Sequence, residues 1–234
     1  MRIKIKFTKN TKKVPNNQAP VNSYIHKCLG VNNKYHDSAS NYCVSGMLSG
    51  TAHDNNRYVN YPNGGFIIIT SSDLEFINKV IMGVIQNTTF GFGMTFDSID
   101  HIDEKFNNGW NYFKTTRNGF MLRDKIKIDG EVKYYTLQDK KELIDYTKNH
   151  IINKFSKINS KLKFNDLKIE IHEHKNHKTQ HVYCNDVFNI ANVCQINVHT
   201  NEKLAEALYN YGIGQSTGSG FGTIYTTKQH KSYV

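Results

Sequence analysis

The sequence predicts an α+β chain of two tandem β-α-β-β-α-β units with antiparallel sheets, closed by a glycine-rich loop near the C-terminus. Three observations carry this. Short alternating segments and helical-period segments follow one another in the same order in each half. Thr70 and Leu74 recur as Thr200 and Leu204 at a spacing of 130, and Gly91-Phe92-Gly93 recurs as Gly220-Phe221-Gly222 at 129. Strand, helix, Gly-Phe-Gly and strand thus repeat with a one-residue shift. The stretch Tyr211-Gly-Ile-Gly-Gln-Ser-Thr-Gly-Ser-Gly-Phe-Gly222 packs five of the sixteen glycines into eleven residues, a density that requires positive φ or close backbone approach. Chance recurrence is the alternative to duplication, since strand-helix-strand units are common and Gly-Phe-Gly is short. The shared order favours duplication, and with it a tandem ferredoxin-like (RRM-like) fold divided as 1–103 and 104–234.

In the first unit, residues 2–7 place Ile3, Ile5 and Phe7 on one face and Arg2, Lys4 and Lys6 on the other, a period-two strand with a basic outer side. Pro20 suits the start of a helix over 21–29, and Gly30 ends it. Its stripe of Val21, Ile25, Cys28 and Leu29 faces inward, which leaves Asn22, His26 and Lys27 outside. A loop through Lys34, Tyr35 and His36 leads to a second strand over 41–48. Segments 57–61 and 65–70 flank Pro62-Asn-Gly-Gly, a hairpin signal. Ser72 and Glu75 form a capping box for a helix running to Gln86. Residues 89–96 follow as a strand containing Gly91-Phe92-Gly93.

The second unit opens with strands over 110–116 and 119–128. A long polar helix over 137–158 turns Leu143, Ile144, Ile151 and Phe155 inward. Segments 167–174 and 180–183 read as a pair, followed by an apolar strand over 193–198, a helix over 202–211, the glycine-rich loop and a short β-prone run over 223–227.

Thirty Lys and Arg against twenty Asp and Glu give a formal net charge of +10 in 234 residues. That balance favours a polyanionic partner, nucleic acid or an anionic surface. Only four of the cations are Arg, as expected from a low-GC coding bias, so charge nominates nucleic acid without proving it. Cys28, Cys43, Cys184 and Cys194 show neither a C-x-x-C pair nor zinc spacing, and no signal-peptide core opens the chain, so reduced thiols and a cytoplasmic location are expected. No apolar run approaches the ~20 residues of a membrane helix.

The glycine-rich loop fits neither familiar phosphate motif. A Walker loop needs a Lys-Ser/Thr pair after its last glycine, and a dinucleotide fingerprint opens a helix, whereas this loop follows one. It offers unhindered N–H groups and small polar side chains, from Gly214 through Gln215, Ser216, Thr217 and Gly218 to Ser219, suited to cradling phosphate; a plain helix-to-strand turn is the alternative. A Gly-x-Gly, a few polar residues and Gly-Phe-Gly within the last twenty or so residues of a basic chain resemble the C-terminal signature of the CRISPR repeat endoribonucleases, the Cas-six family of the RAMP superfamily.

That resemblance implies a duplicated ferredoxin-like fold and metal-independent cutting of repeat RNA once per repeat, with no cofactor. In the family the 2′-oxygen attacks the scissile phosphate and leaves a 2′,3′-cyclic phosphate and a 5′-hydroxyl. Such chemistry needs a base, an acid and positive charge beside the phosphate, and histidine serves either proton role near neutral pH. Any one of the eleven histidines, taken alone, is more often structural than catalytic. Family members keep a catalytic histidine between the first helix and the second strand, often with a Tyr or His partner on the helix. His36 lies there, nine residues before Ser45, which resembles the Ser ending the family's second strand, and His26 lies on the outer side of the helix. His36 and His26 are therefore the expected proton-transfer pair, with Lys27 or Lys34 offsetting phosphate charge. Tyr42-Cys-Val-Ser45 departs from the family by being less aromatic.

For RNA binding, Lys114, Arg117, Arg123, Lys125 and Lys127 cluster beside Tyr112, Phe113 and Phe120; the favoured reading buries the aromatics and leaves the cations outward. The cluster His172-x-His174-x-x-His177-x-x-x-His181 reads as the polar face and turn of a hairpin, because interleaved lysines repel a metal cation and no cysteine joins it. The partners implied are CRISPR repeat RNA and other CRISPR effector proteins, with the chain a monomer or homodimer and no membrane involved. A non-catalytic RNA-binding subunit of the same superfamily is the rival reading, and an unrelated basic RNA-binding module the more distant one.

Overall fold

The computed structural model describes residues 1–30, 33–35, 41–54, 57–124, 132–172, 178–184 and 187–227. Its first unit runs β1 (Arg2–Phe7), β2 (Val14–Pro15), α1 (Ala19–Leu29), β3 (Tyr42–Val44), β4 (Thr51–His53), β5 (Tyr58–Asn60), β6 (Gly65–Ser71), α2 (Leu74–Gln86), β7 (Thr89–Gly91) and β8 (Met94–Ile102). The second runs β9 (Gly109–Thr115), a 3₁₀ turn Leu137–Asp139 leading into α3 (Lys140–Ile158), β10 (Lys168–His172), β11 (Lys178–Cys184), β12 (Val187–Val193), β13 (Gln195–Thr200), α4 (Glu202–Tyr211) and β14 (Ile224–Thr226).

The main sheets are ordered β3-β6-β1-β8-β7 and β10-β13-β9-β14, with antiparallel neighbours throughout. Without the edge strand β7, both place their strands second, third, first, fourth, so the two units share the ferredoxin-like topology. Each helix lays one apolar face on its own sheet. Phe76, Ile77, Val80 and Val84 of α2 join Ile3, Ile5, Ile67 and Ile69 in one core, while Leu143, Ile151 and Phe155 of α3 and Leu204 and Leu208 of α4 join Phe113, Ile196 and Val198 in another. Among the described residues no helix is long and apolar enough to cross a membrane.

Several local expectations are overturned by longer-range pairing. The segments flanking Pro62-Asn-Gly-Gly do not pair with each other: β5 joins β2 and β4 in a small separate sheet, while β6 lies between β1 and β3. Residues 167–174 and 180–183 likewise part, since β10 pairs with β13 and β11 with β12, an inserted hairpin. The strand expected over 119–128 reduces to isolated bridges at Phe120, Met121 and Arg123, and residues 125–131 lie outside the described ones. Gly91-Phe92-Gly93 forms the bend between β7 and β8, with all three residues at positive φ, instead of the middle of a strand. Asp73, not Ser72, caps α2, its carboxylate accepting the Phe76 N–H at 3.2 Å. Ser72 instead bonds the Tyr211 hydroxyl in the second unit.

Arg2 is the largest departure from the strand pattern. Expected outward, it is 2% exposed, because the second unit covers that end of β1. Its guanidinium donates to the backbone oxygens of Ile224 at 2.6 Å and Tyr209 at 3.3 Å and stacks 3.5 Å from the centre of the Tyr209 ring.

Candidate nucleic-acid interface

The glycine-rich loop starts where Gly212, at φ 71°, ends α4 with its N–H on the Leu208 oxygen. It then crosses to the first unit instead of standing open. The Thr217 hydroxyl donates to the Tyr42 oxygen on β3 at 3.0 Å, Cys43 Sγ lies 3.0 Å from Thr223 Oγ1, and the Asn118 amide donates to both the Gln18 side chain and the Gly220 oxygen. The expected set of open amides is reduced: those of Ile213, Gln215, Ser219 and Gly222 donate to the oxygens of Gly222, Met121, Ser216 and Gly119.

Thr217 is 3% exposed and Gly214 buried, and the Gln215 side chain donates to the Arg123 oxygen at 2.9 Å. These three serve the fold. Exposed Ser216, at φ 54°, and half-buried Gly218 and Ser219 form the outer rim of the loop. Ser45 is also a correction. Fully buried, its hydroxyl accepts the Ile68 N–H at 2.8 Å and donates to the Gly46 oxygen at 2.7 Å, which holds β3 against β6.

Lys154 of α3 props the loop from below. Its ammonium donates to the oxygens of Tyr211, Gly212 and Gly214 at 3.0, 3.3 and 3.5 Å, so a cation meets the C-terminus of α4, where the macrodipole favours it. Burial pushes this ammonium down to about 8. Nothing local in the sequence marks Lys154 or Asn118, since their partners lie far along the chain; Gln18 bonds Asn22 four residues on as well as Asn118.

Of the residues expected to transfer protons or offset phosphate charge, His26, Lys27 and Lys34 are among the described ones. His26 is half-buried on its last turn and Lys27 is exposed in the groove between α1 and α2; His36 lies outside the described residues. Lys34 turns to α2, where Glu75 accepts from it at 2.7 Å and from Lys79 at 3.1 Å. The hydrogen bond with Lys34 holds the Glu75 carboxyl below its usual range and raises the Lys34 ammonium. The positive charge expected at the phosphate is in this case spent on a carboxylate.

A cleft of about 390 Å³ opens between the units, lined by the turn before α1 and by β11. It carries Arg117, Lys178, His181 and Tyr183, and no Asp or Glu among its described lining residues. Arg117 is half-buried; Arg123 is too, its guanidinium 3.3 Å from Tyr134 Oη and 3.5 Å from Asn189 Oδ1, and Lys125 lies outside the described residues. Phe113 and Phe120 are wholly buried and Tyr112 half-buried, as the favoured reading of those aromatics has it. His172 and His181 fall on different sheets, with His172 bonded to Glu170 at 3.1 Å; His174 and His177 lie outside the described residues. Among the described residues no group of three or more His, Cys, Asp or Glu gathers as metal ligands.

No curated protein matches the sequence. Among solved structures, a RAMP protein that binds different RNA substrates superposes with a TM-score of 0.82 at 19% identity over 97% of this chain and 100% of its own. The product of a Cas6-related gene from Pyrococcus furiosus gives 0.83 at 18% over 98% and 99%, and a CRISPR associated protein Cas6 gives 0.75 at 19% over 97% and 99%. At such identities the likeness is one of fold, from end to end. Residues 103–225 match the family model described as CRISPR associated protein Cas6, C-terminal. That segment is more than half of the chain, and the protein belongs to the Cas6 family.

Proposed function

We propose that the chain binds CRISPR repeat RNA and cuts it once per repeat without a metal. The 2′-oxygen attacks the adjacent phosphorus as one histidine takes its proton, the P–O5′ bond breaks, and a second histidine protonates the departing 5′-oxygen. The products are a 2′,3′-cyclic phosphate and a 5′-hydroxyl. In this reading His36 and His26 are the proton-transfer pair, Lys27 offsets phosphate charge, and residues 1–103 carry the chemistry while 104–234 grip the RNA.

One observation supports this arrangement above the others. The bond from Thr217 to Tyr42 holds the glycine-rich loop against the first residue of β3, the strand that the connection bearing His36 enters directly. Tyr42 is six residues from His36, so a phosphate resting on the rim of Ser216, Gly218 and Ser219 lies within a short span of chain from that imidazole. RNA then extends into the cleft past Arg117, whose described lining holds no carboxylate.

The test incubates purified protein in EDTA with labelled repeat RNA from the neighbouring array. A single cut by the wild type, slowed about a hundredfold or more in His36→Ala with RNA affinity retained, is the expected result; His26→Ala is ranked by its own loss. Tight binding without cutting, in EDTA or with added metal, would make the chain a non-catalytic RNA-binding subunit.

A further inference from the structure

The hairpin of β11 and β12 interrupts the second unit between its second and third strands, and its two faces differ. On the inner face Val182, Cys184 and Ala191 pack with Met121 of the bridge segment and Phe221 of the glycine-rich loop. The Cys184 thiol reaches the Ser219 oxygen at 3.6 Å, so the hairpin stands on the loop. On the outer face Tyr183 lies opposite Phe188, and His181 opposite Ile190. Phe188 is 64% exposed and belongs to none of the three apolar clusters. Its ring centre lies 5.0 Å from that of Tyr183, at a tilt of 54°, and 6.4 Å from that of His181. Packing does not account for so large an apolar ring held in water on an ordered strand.

We propose that Phe188, backed by Tyr183, is a stacking platform for an unpaired nucleobase of the bound RNA. Two observations select this occupant. Tyr183 and His181 are also wall residues of the cleft that carries Arg117 and Lys178 without a described carboxylate, a surface complementary to phosphate. The hairpin stands on the glycine-rich loop at Ser219 through its inner face, which leaves the outer face open for one strand of RNA to lay a base on Phe188 while its backbone follows the cations of the cleft wall. Single rings of this kind are sequence-tolerant holders of single-stranded bases, because every base presents a π-face. The proposal rests on the RNA-binding part of the reading above and is independent of whether the chain cuts.

The experiment places 2-aminopurine singly at successive unpaired positions of the repeat RNA and measures fluorescence and affinity at fixed salt for the wild type, Phe188→Leu, Phe188→Ala and Phe188→Trp. One position is expected to be quenched on binding to the wild type and to Phe188→Trp and released in Phe188→Leu, with affinity falling about tenfold or more in Phe188→Ala. Wild-type binding that is indifferent to Phe188→Ala, with no position-specific change, would overturn the platform alone. Absence of RNA binding by the wild type would overturn the RNA reading with it. A shift from dimer to monomer in Phe188→Ala with RNA affinity unchanged would assign the ring to a contact between two copies instead. Phe188 lies outside the cores, so the thermal midpoint of each variant is expected to match the wild type.

Discussion

The two Gly-Phe-Gly segments occupy the same topological slot, between the second helix and the fourth strand of their units, yet they do different work. Gly91-Phe92-Gly93 makes a bend within the first unit: Phe92 is half-buried, and a Cβ built on Gly91 would meet nothing within 4 Å. Gly220-Phe221-Gly222 is buried throughout. Phe221 is 1% exposed beneath the inserted hairpin, Gly220 packs on Gln18 of the first unit, and a Cβ on Gly222 would fall 2.0 Å from the Ile213 oxygen. The same three residues serve once as a local turn and once as part of the weld between units. A motif's role is therefore set by what crosses it.

The largest contrast should appear on adding a single methyl. Gly222→Ala forces both a left-handed φ of 72° and a backbone clash and is expected to lower unfolding free energy by about 3 kcal/mol or more. Gly91→Ala carries backbone strain alone and is expected to cost about 1 kcal/mol. Urea titration of both variants measures the difference, and equal losses would break the comparison.

Removing the other half of the weld should act next. Arg2→Met keeps the buried stem but leaves the Tyr209 and Ile224 oxygens without their donor. A loss of about 2 kcal/mol is expected, together with earlier unfolding of one unit than the other. A single transition at the wild-type midpoint would show that the guanidinium contributes nothing to the joint.

A further effect concerns pH. The Lys154 ammonium, held near 8 in the fold against about 10.4 in an unfolded chain, is shed by the native state first. Between those values the unfolded state binds more protons, so this group makes stability rise with pH across that window. Burial raises the Cys43 thiol, which makes stability fall as pH climbs past the ordinary thiol range, so the two are separated by difference. Wild type minus Lys154→Met should show the rise from about pH 8 upward, and a flat difference would mean that the three carbonyls keep Lys154 charged.

Elements governed by near neighbours were legible in the sequence. The periodicity and start of α4 gave residues 202–211, which the structure reproduces as Glu202–Tyr211, and the glycine density of 212–222 called for close backbone approach, met at Gly222. The shared strand order followed from the repeat. Within the candidate site, the inward aromatics Phe113 and Phe120 could be read in advance. What escaped were choices among partners that look alike locally. β5 and β11 could each have paired with a nearer strand, and a hydroxyl such as Ser45 or Thr217 carries no mark of whether it will meet RNA or a backbone oxygen.

The sequence by itself determined the four helices, the duplicated order of the main elements and the resemblance to the family, because helix and strand periods and turn residues act over a few residues. Only the tertiary structure decided that Arg2 would be buried, that Lys34 would turn to Glu75, that Lys154 would hold the glycine-rich loop and that Phe188 would remain in water. The first depends on how one unit covers the other, and the rest on which elements distant in sequence meet within a unit. Burial is a property of two surfaces meeting, and neither surface exists until both sheets have formed.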